Sequence, residues 1–98
     1  MRAVGLADLD MAARAVMMVP PADQPVFAER LIAQADVSDR WRKRMGRAHP
    51  GGGTGSLYAQ ASLGAVATSD HAGPAYCAAM SCVLVALAAW RRRTHHPL

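Results

Sequence analysis

At 98 residues the chain has room for one domain, and a chain of that size buries a limited fraction of its surface, so partner surface often completes the core. Alanine is abundant, aromatic residues make up 5% and β-branched residues are few, a mix that argues against an extensive sheet and for helix. The net charge of +4 is uneven: residues 1–39 hold three basic and six acidic groups, residues 40–49 hold five basic and no acidic groups, and residues 91–93 are all arginine. Two concentrated positive sites suggest an anionic partner, or else helix ends whose cations suit the helix dipole.

The first element is a short amphipathic helix. Leu9, Ala13 and Val16 recur at helical spacing, with Asp8 as the expected cap and Pro20 beyond the end. No basic-then-apolar signal segment opens the chain, because Asp8 and Asp10 interrupt it. Pro20 and Pro21 make a stiff turn.

Pro25 then suits the first turn of a second helix, capped by Asp23 or Gln24 and running to Met45, where Gly46 stops it. Its spacing places Phe27, Leu31, Ala35, Ser38, Trp41 and Met45 on one inward face. Arg40, Lys43, Arg44 and Arg47 lie on the opposite side, if the helix persists that far. The run RWRKRMGR at 40–47 interleaves arginine with one tryptophan. Guanidinium groups bind phosphates, with salt-sensitive and largely sequence-independent affinity.

Residues 46–56, GRAHPGGGTGS, read as a loop or hinge whose glycines leave the backbone free. A phosphate-cradling loop of the Walker type would need a Lys beside the final Ser, but Leu57 follows Ser56. Ser56 is the expected cap of a short helix from Leu57 to about Val66, and Thr68–Gly73 forms a second connector.

Pro74 opens the last helix, which ends at the arginine triplet. Tyr76, Met80, Val83, Leu87 and Trp90 follow a 4-3-4-3 spacing, a heptad seam too short for a stable coiled coil alone but suited to oligomerisation. The opposite face is small: Ala78, Ser81, Val85, Ala88 and Ala89. The uncharged stretch 72–90 followed by arginines also has the outline of a membrane span with a positive flank. Its alanines, Gly73, Pro74 and the sorting of large residues onto one face favour a core or oligomerisation helix.

Cys77 and Cys82 are five apart, which turns them away from each other on a helix. They read as two reduced, buried cysteines in a reducing compartment. His49, His71, His95 and His96 show no helical ligand spacing, and neither cysteine has a CxxC partner. No metal site, cofactor or catalytic constellation is therefore expected. The expectation is an all-α domain of about four helices: a helix pair with a basic end over 1–46, a glycine hinge over 47–56 and C-terminal helices over 57–93.

The segments VGLADLDMAARAVMMVPPAD, AERLIAQADVSDRWRKRMGRAHP and AAMSCVLVALAAWRRR resemble a family of short bacterial proteins of gene transfer agent clusters. These are similar in role to the small terminase subunits of tailed phages. The resemblance implies a cytoplasmic, non-enzymatic DNA-packaging adaptor. Such a protein forms a homo-oligomer, touches DNA weakly and delivers it to a large terminase subunit that carries the ATPase and nuclease. The basic stretch of that family would correspond to Arg40, Arg42, Lys43, Arg44 and Arg47. One departure is plain: small terminases often carry an N-terminal helix-turn-helix, whereas here a Pro-Pro turn joins the first two helices and the first 39 residues are net acidic. Nonspecific DNA contact fits better than sequence reading. Two other readings stay open: a small single-span membrane protein using 72–90, and a protein-interaction module that meets no nucleic acid.

Overall fold

The computed structural model describes residues 1–47, 50, 51, 53–68 and 70–94. Parts of the expected hinge (48, 49 and 52), Ser69 of the second connector, and His95 and His96 lie outside the described residues. The fold is all-α: α1 spans Leu6–Val16, α2 Gln24–Met45, α3 Leu57–Ala61 and α4 Pro74–Thr94, with a 3-10 turn at Pro21–Asp23.

Local signals set most of the boundaries. Asp23 stands at the N-cap position of α2 without a side-chain capping bond, Pro25 sits in its first turn, and Gly46 ends it in the left-handed conformation (φ 71°) with its N–H donating to the Arg42 carbonyl at 2.8 Å. Asp8 is not the cap of α1. Gly5 is, and Asp8, in the first turn, accepts the Gly5 N–H at 2.9 Å. Its other oxygen accepts the Tyr58 N–H at 3.0 Å, so one carboxylate serves the starts of both α1 and α3. Ser56 caps α3 as expected, accepting the Ala59 N–H at 3.0 Å. That helix is shorter than the sequence suggests and ends at Ala61, not near Val66. The segment after it is drawn into extended contact with α1, where Arg14 holds Ala67 by a backbone bond of 3.0 Å and a guanidinium bond of 2.6 Å.

The core lies where α4 runs along both α1 and α2, with α3 closing one side. Alanines make the close approaches: Ala12, Ala13, Ala28, Ala35 and Ala79 are almost wholly buried, and Val16, Ile32, Leu57 and Val83 fill the space between. The buried face of α2 is turned from the expected one. Ala28, Leu31, Ile32, Ala35, Asp36, Ser38 and Asp39 are buried, Phe27 and Trp41 are half-buried, and Met45 is exposed. Two carboxylates can point inward there because charged partners meet them.

The seam of α4 lies in the chain's own core. Tyr76 and Val83 are buried with Ala79 and Ala86, and Met80, Leu87 and Trp90 pack half-buried against the same cluster. Of the five positions expected to serve oligomerisation, Tyr76 and Val83 are taken up by this chain's own packing, while Met80, Leu87 and Trp90 keep part of their surface exposed. Both thiols are free, but they are not buried as expected: Cys77 is exposed and Cys82 half-buried.

The glycine loop is not free throughout. Gly53 and Gly55 are buried against α2. A Cβ on Gly53 would stand 2.6 Å from the Ser38 Oγ, and Gly55 has φ +100°. These two glycines serve close packing where a loose hinge was expected.

Candidate functional site

The five cations proposed for DNA contact follow one another along the end of α2. Arg40, Arg42, Lys43 and Arg44 lie on the helix, whereas Arg47 lies past the Gly46 cap and so belongs to no helical face. Three of them reach back to the two inward carboxylates that the sequence reading passed over. Arg40 pairs with Asp36 through both Nε (2.9 Å) and Nη2. Arg42 Nη2 lies 2.9 Å from Asp39 Oδ1, and Lys43 Nζ lies 3.1 Å from Asp39 Oδ2. The α-ammonium of Met1 joins them, 2.6 Å from Asp36 and 3.2 Å from Asp39.

The Asp39 side chain is 1% exposed. Burial pushes its carboxyl pKa up, but hydrogen bonds from Arg42, Lys43 and the Met1 ammonium, with the charge of that ammonium, outweigh burial and hold it at about 2. Asp36 is likewise held below the usual carboxylate range: burial opposes ionisation, and the Met1 ammonium and Arg40 overcome it. Both acids are therefore anionic near neutral pH and fix the basic side chains around them. A signal for this was present in the sequence, because Asp36 and Asp39 precede Arg40 and Lys43 by four residues, the favourable order for helical ion pairs.

The positive charge is thus divided. Arg40 and Lys43 are paired, yet their side chains remain 72% and 68% exposed. Arg44 and Arg47 are exposed and make no ion pair among the described residues. The arginines at 91–93 are exposed at the end of α4, with the Arg91 guanidinium 5.9 Å from the Trp90 ring centroid.

Elsewhere, Asp10 gathers polar groups from the start of α4. It accepts the Tyr76 hydroxyl at 2.7 Å and contacts His71 Nε2 at 2.9 Å. Among the described residues no set of three or more His, Cys, Asp or Glu could hold a metal ion. Comparison with curated proteins and with solved structures finds no match. Residues 2–87 match a domain of unknown function, DUF7742, and the chain belongs to that family.

Proposed function

We propose that this protein is a non-enzymatic adaptor of a DNA-packaging assembly, comparable in role to the small terminases it resembles. It touches DNA weakly and without sequence preference through the end of α2, and it docks onto a large terminase. The observation that supports this reading is the pair Arg44 and Arg47, exposed and outside the ion pairs that hold Arg40, Arg42 and Lys43. Such a small free charge gives each chain few phosphate contacts, so several copies acting together supply useful affinity.

The test is a DNA titration at two salt concentrations, comparing the wild type with Arg44→Ala/Arg47→Ala. These substitutions leave Asp36 and Asp39 paired. Weaker binding and a flatter salt dependence in the variant, at unchanged helicity, support the reading. Equal binding moves the contact to Arg91, Arg92 and Arg93, and no binding by the wild type at low salt removes DNA from the proposal.

A second reading has one observation behind it. Among the described residues α4 is the one helix long and apolar enough, by length and composition, to cross a membrane. Its packing along α1 and α2 and the Tyr76–Asp10 bond would be given up in a bilayer. Recovery of the folded chain from a detergent-free soluble fraction would dismiss the membrane reading.

A further inference from the structure

The solvent face of α2 carries two clefts that share Val37. The larger, about 350 Å³, is lined by Arg30, Gln34 and Val37 on α2 and by Gln60 from α3, with Gly51 and Gly53 on its far side. The smaller, about 190 Å³, is lined by Val37, Arg40, Trp41 and Arg44. At 100° per residue these α2 positions fall on one side of the helix, opposite buried Ile32 and Asp39. The two clefts thus follow each other as one groove. Arg30 and Arg44, fourteen residues apart, mark its ends at a separation of about 21 Å.

Chemistry changes along the groove. Arg30 and Arg44 at the ends make no ion pair among the described residues. Between them Val37 is 53% exposed and Trp41 half-buried, and the one cation there, Arg40, is neutralised by Asp36. Beside Val37, Gln60 Nε2 donates to Gln34 Oε1 at 3.2 Å. Both side chains line the larger cleft, so the Gln34 amide keeps donor capacity that this bond does not use.

We propose that this groove docks an extended segment of a partner protein, with acidic residues at both ends and an apolar residue between them. The separation of the arginines matches about six residues of extended chain. Unpaired cations at the two ends, with an exposed valine and an already neutralised Arg40 between them, suit such a peptide better than a phosphodiester backbone, whose charge is evenly spaced and which gains nothing from exposed Val37. The proposal deepens the adaptor reading by stating what a docking partner presents, but its chemistry does not depend on DNA being bound.

The probe is a fluorescent synthetic peptide of about seven residues, with two glutamates at each end and Leu-Phe-Leu in the middle, measured by polarisation. Binding is expected, with the lysine-ended counterpart at least about tenfold weaker. Arg30→Glu and Val37→Glu, both at exposed positions, should each weaken the acidic peptide by a similar factor at unchanged circular dichroism and melting temperature. Arg47→Ala, outside the groove, should not. No binding, equal binding of the lysine-ended peptide, or indifference to Val37→Glu would overturn the proposal. So would displacement of the peptide by a single-stranded oligonucleotide whose own binding falls with Val37→Glu, which makes the groove a nucleic-acid site. Peptide binding without DNA binding would keep the groove and remove the packaging reading.

Discussion

The backbone at Gly55 lies directly against Asp39: a Cβ on Gly55 would stand 2.7 Å from the Asp39 Cα. Neither atom can give way, because one belongs to the middle of α2 and the other to a loop whose carbonyl accepts the Arg2 N–H at 3.0 Å. Gly55→Ala therefore meets both a clash and an unfavourable positive φ. It should lower stability by more than about 2 kcal/mol, read as a reduced urea midpoint. Gly46→Ala, where a Cβ meets open space at φ 71°, carries the φ penalty alone and should cost about 1 kcal/mol.

The acid pair makes stability depend on pH in a defined direction. The folded pKa of Asp39, about 2, lies below the ordinary aspartate value of 3.8. Its contribution is therefore complete above about pH 4 and fades as the pH falls toward 2, and Asp36 acts in the same sense. The Asp39 offset corresponds to about 2 kcal/mol. Denaturant midpoints measured from pH 6 to pH 2 should fall across that window in the wild type and fall less in Asp39→Asn, which starts lower. Parallel curves would show that other groups govern the acid limb.

The cations at the end of α2 should separate into two classes. Arg44→Ala/Arg47→Ala should leave the melting temperature unchanged and flatten the slope of log affinity against log salt by about 2, one contact each. Arg42→Ala should act on stability instead, lowering it by about 1 kcal/mol, because it strips a hydrogen bond from buried Asp39. Thermal melts beside DNA titrations distinguish the two.

Two neighbouring valines on α4 give a further contrast. Val83 is 1% exposed and Val85 is 68% exposed. Val83→Asp buries an unpaired charge among α1, α2 and α4 and should abolish the folded state by circular dichroism. Val85→Asp should melt as the wild type does. A lower mass by light scattering in that variant alone would place self-association on the outer face of α4.

The sequence made visible what is decided within a turn or two of chain. Pro25 and Gly46 bound α2 because a ring that fixes φ and a residue that tolerates positive φ act locally, and Ser56 caps α3 for the same reason. The α4 seam was visible as an apolar face, but spacing cannot say whether this chain or another copy covers it. Asp36 and Asp39 were hidden because a carboxylate counts as outward until its partners are placed. One of those partners, the Met1 ammonium, is 35 residues away from Asp36. Likewise Gly53 and Gly55 announce freedom in a sequence, yet here they are needed for thinness, since α2 approaches too closely for a side chain.

The double service of Asp8 has a consequence for the order of assembly. A helix of five residues cannot persist alone, because nucleation outweighs so few propagation steps. Its second amide, that of Tyr58, is held by a carboxylate 50 positions earlier in the chain. The turn at 57–61 therefore forms only once the loop back to α1 has closed, and it dissolves when that closure opens. Hydrogen exchange at the Tyr58 amide should report the parting of residues 57–61 from α1, and Asp8→Asn should speed it.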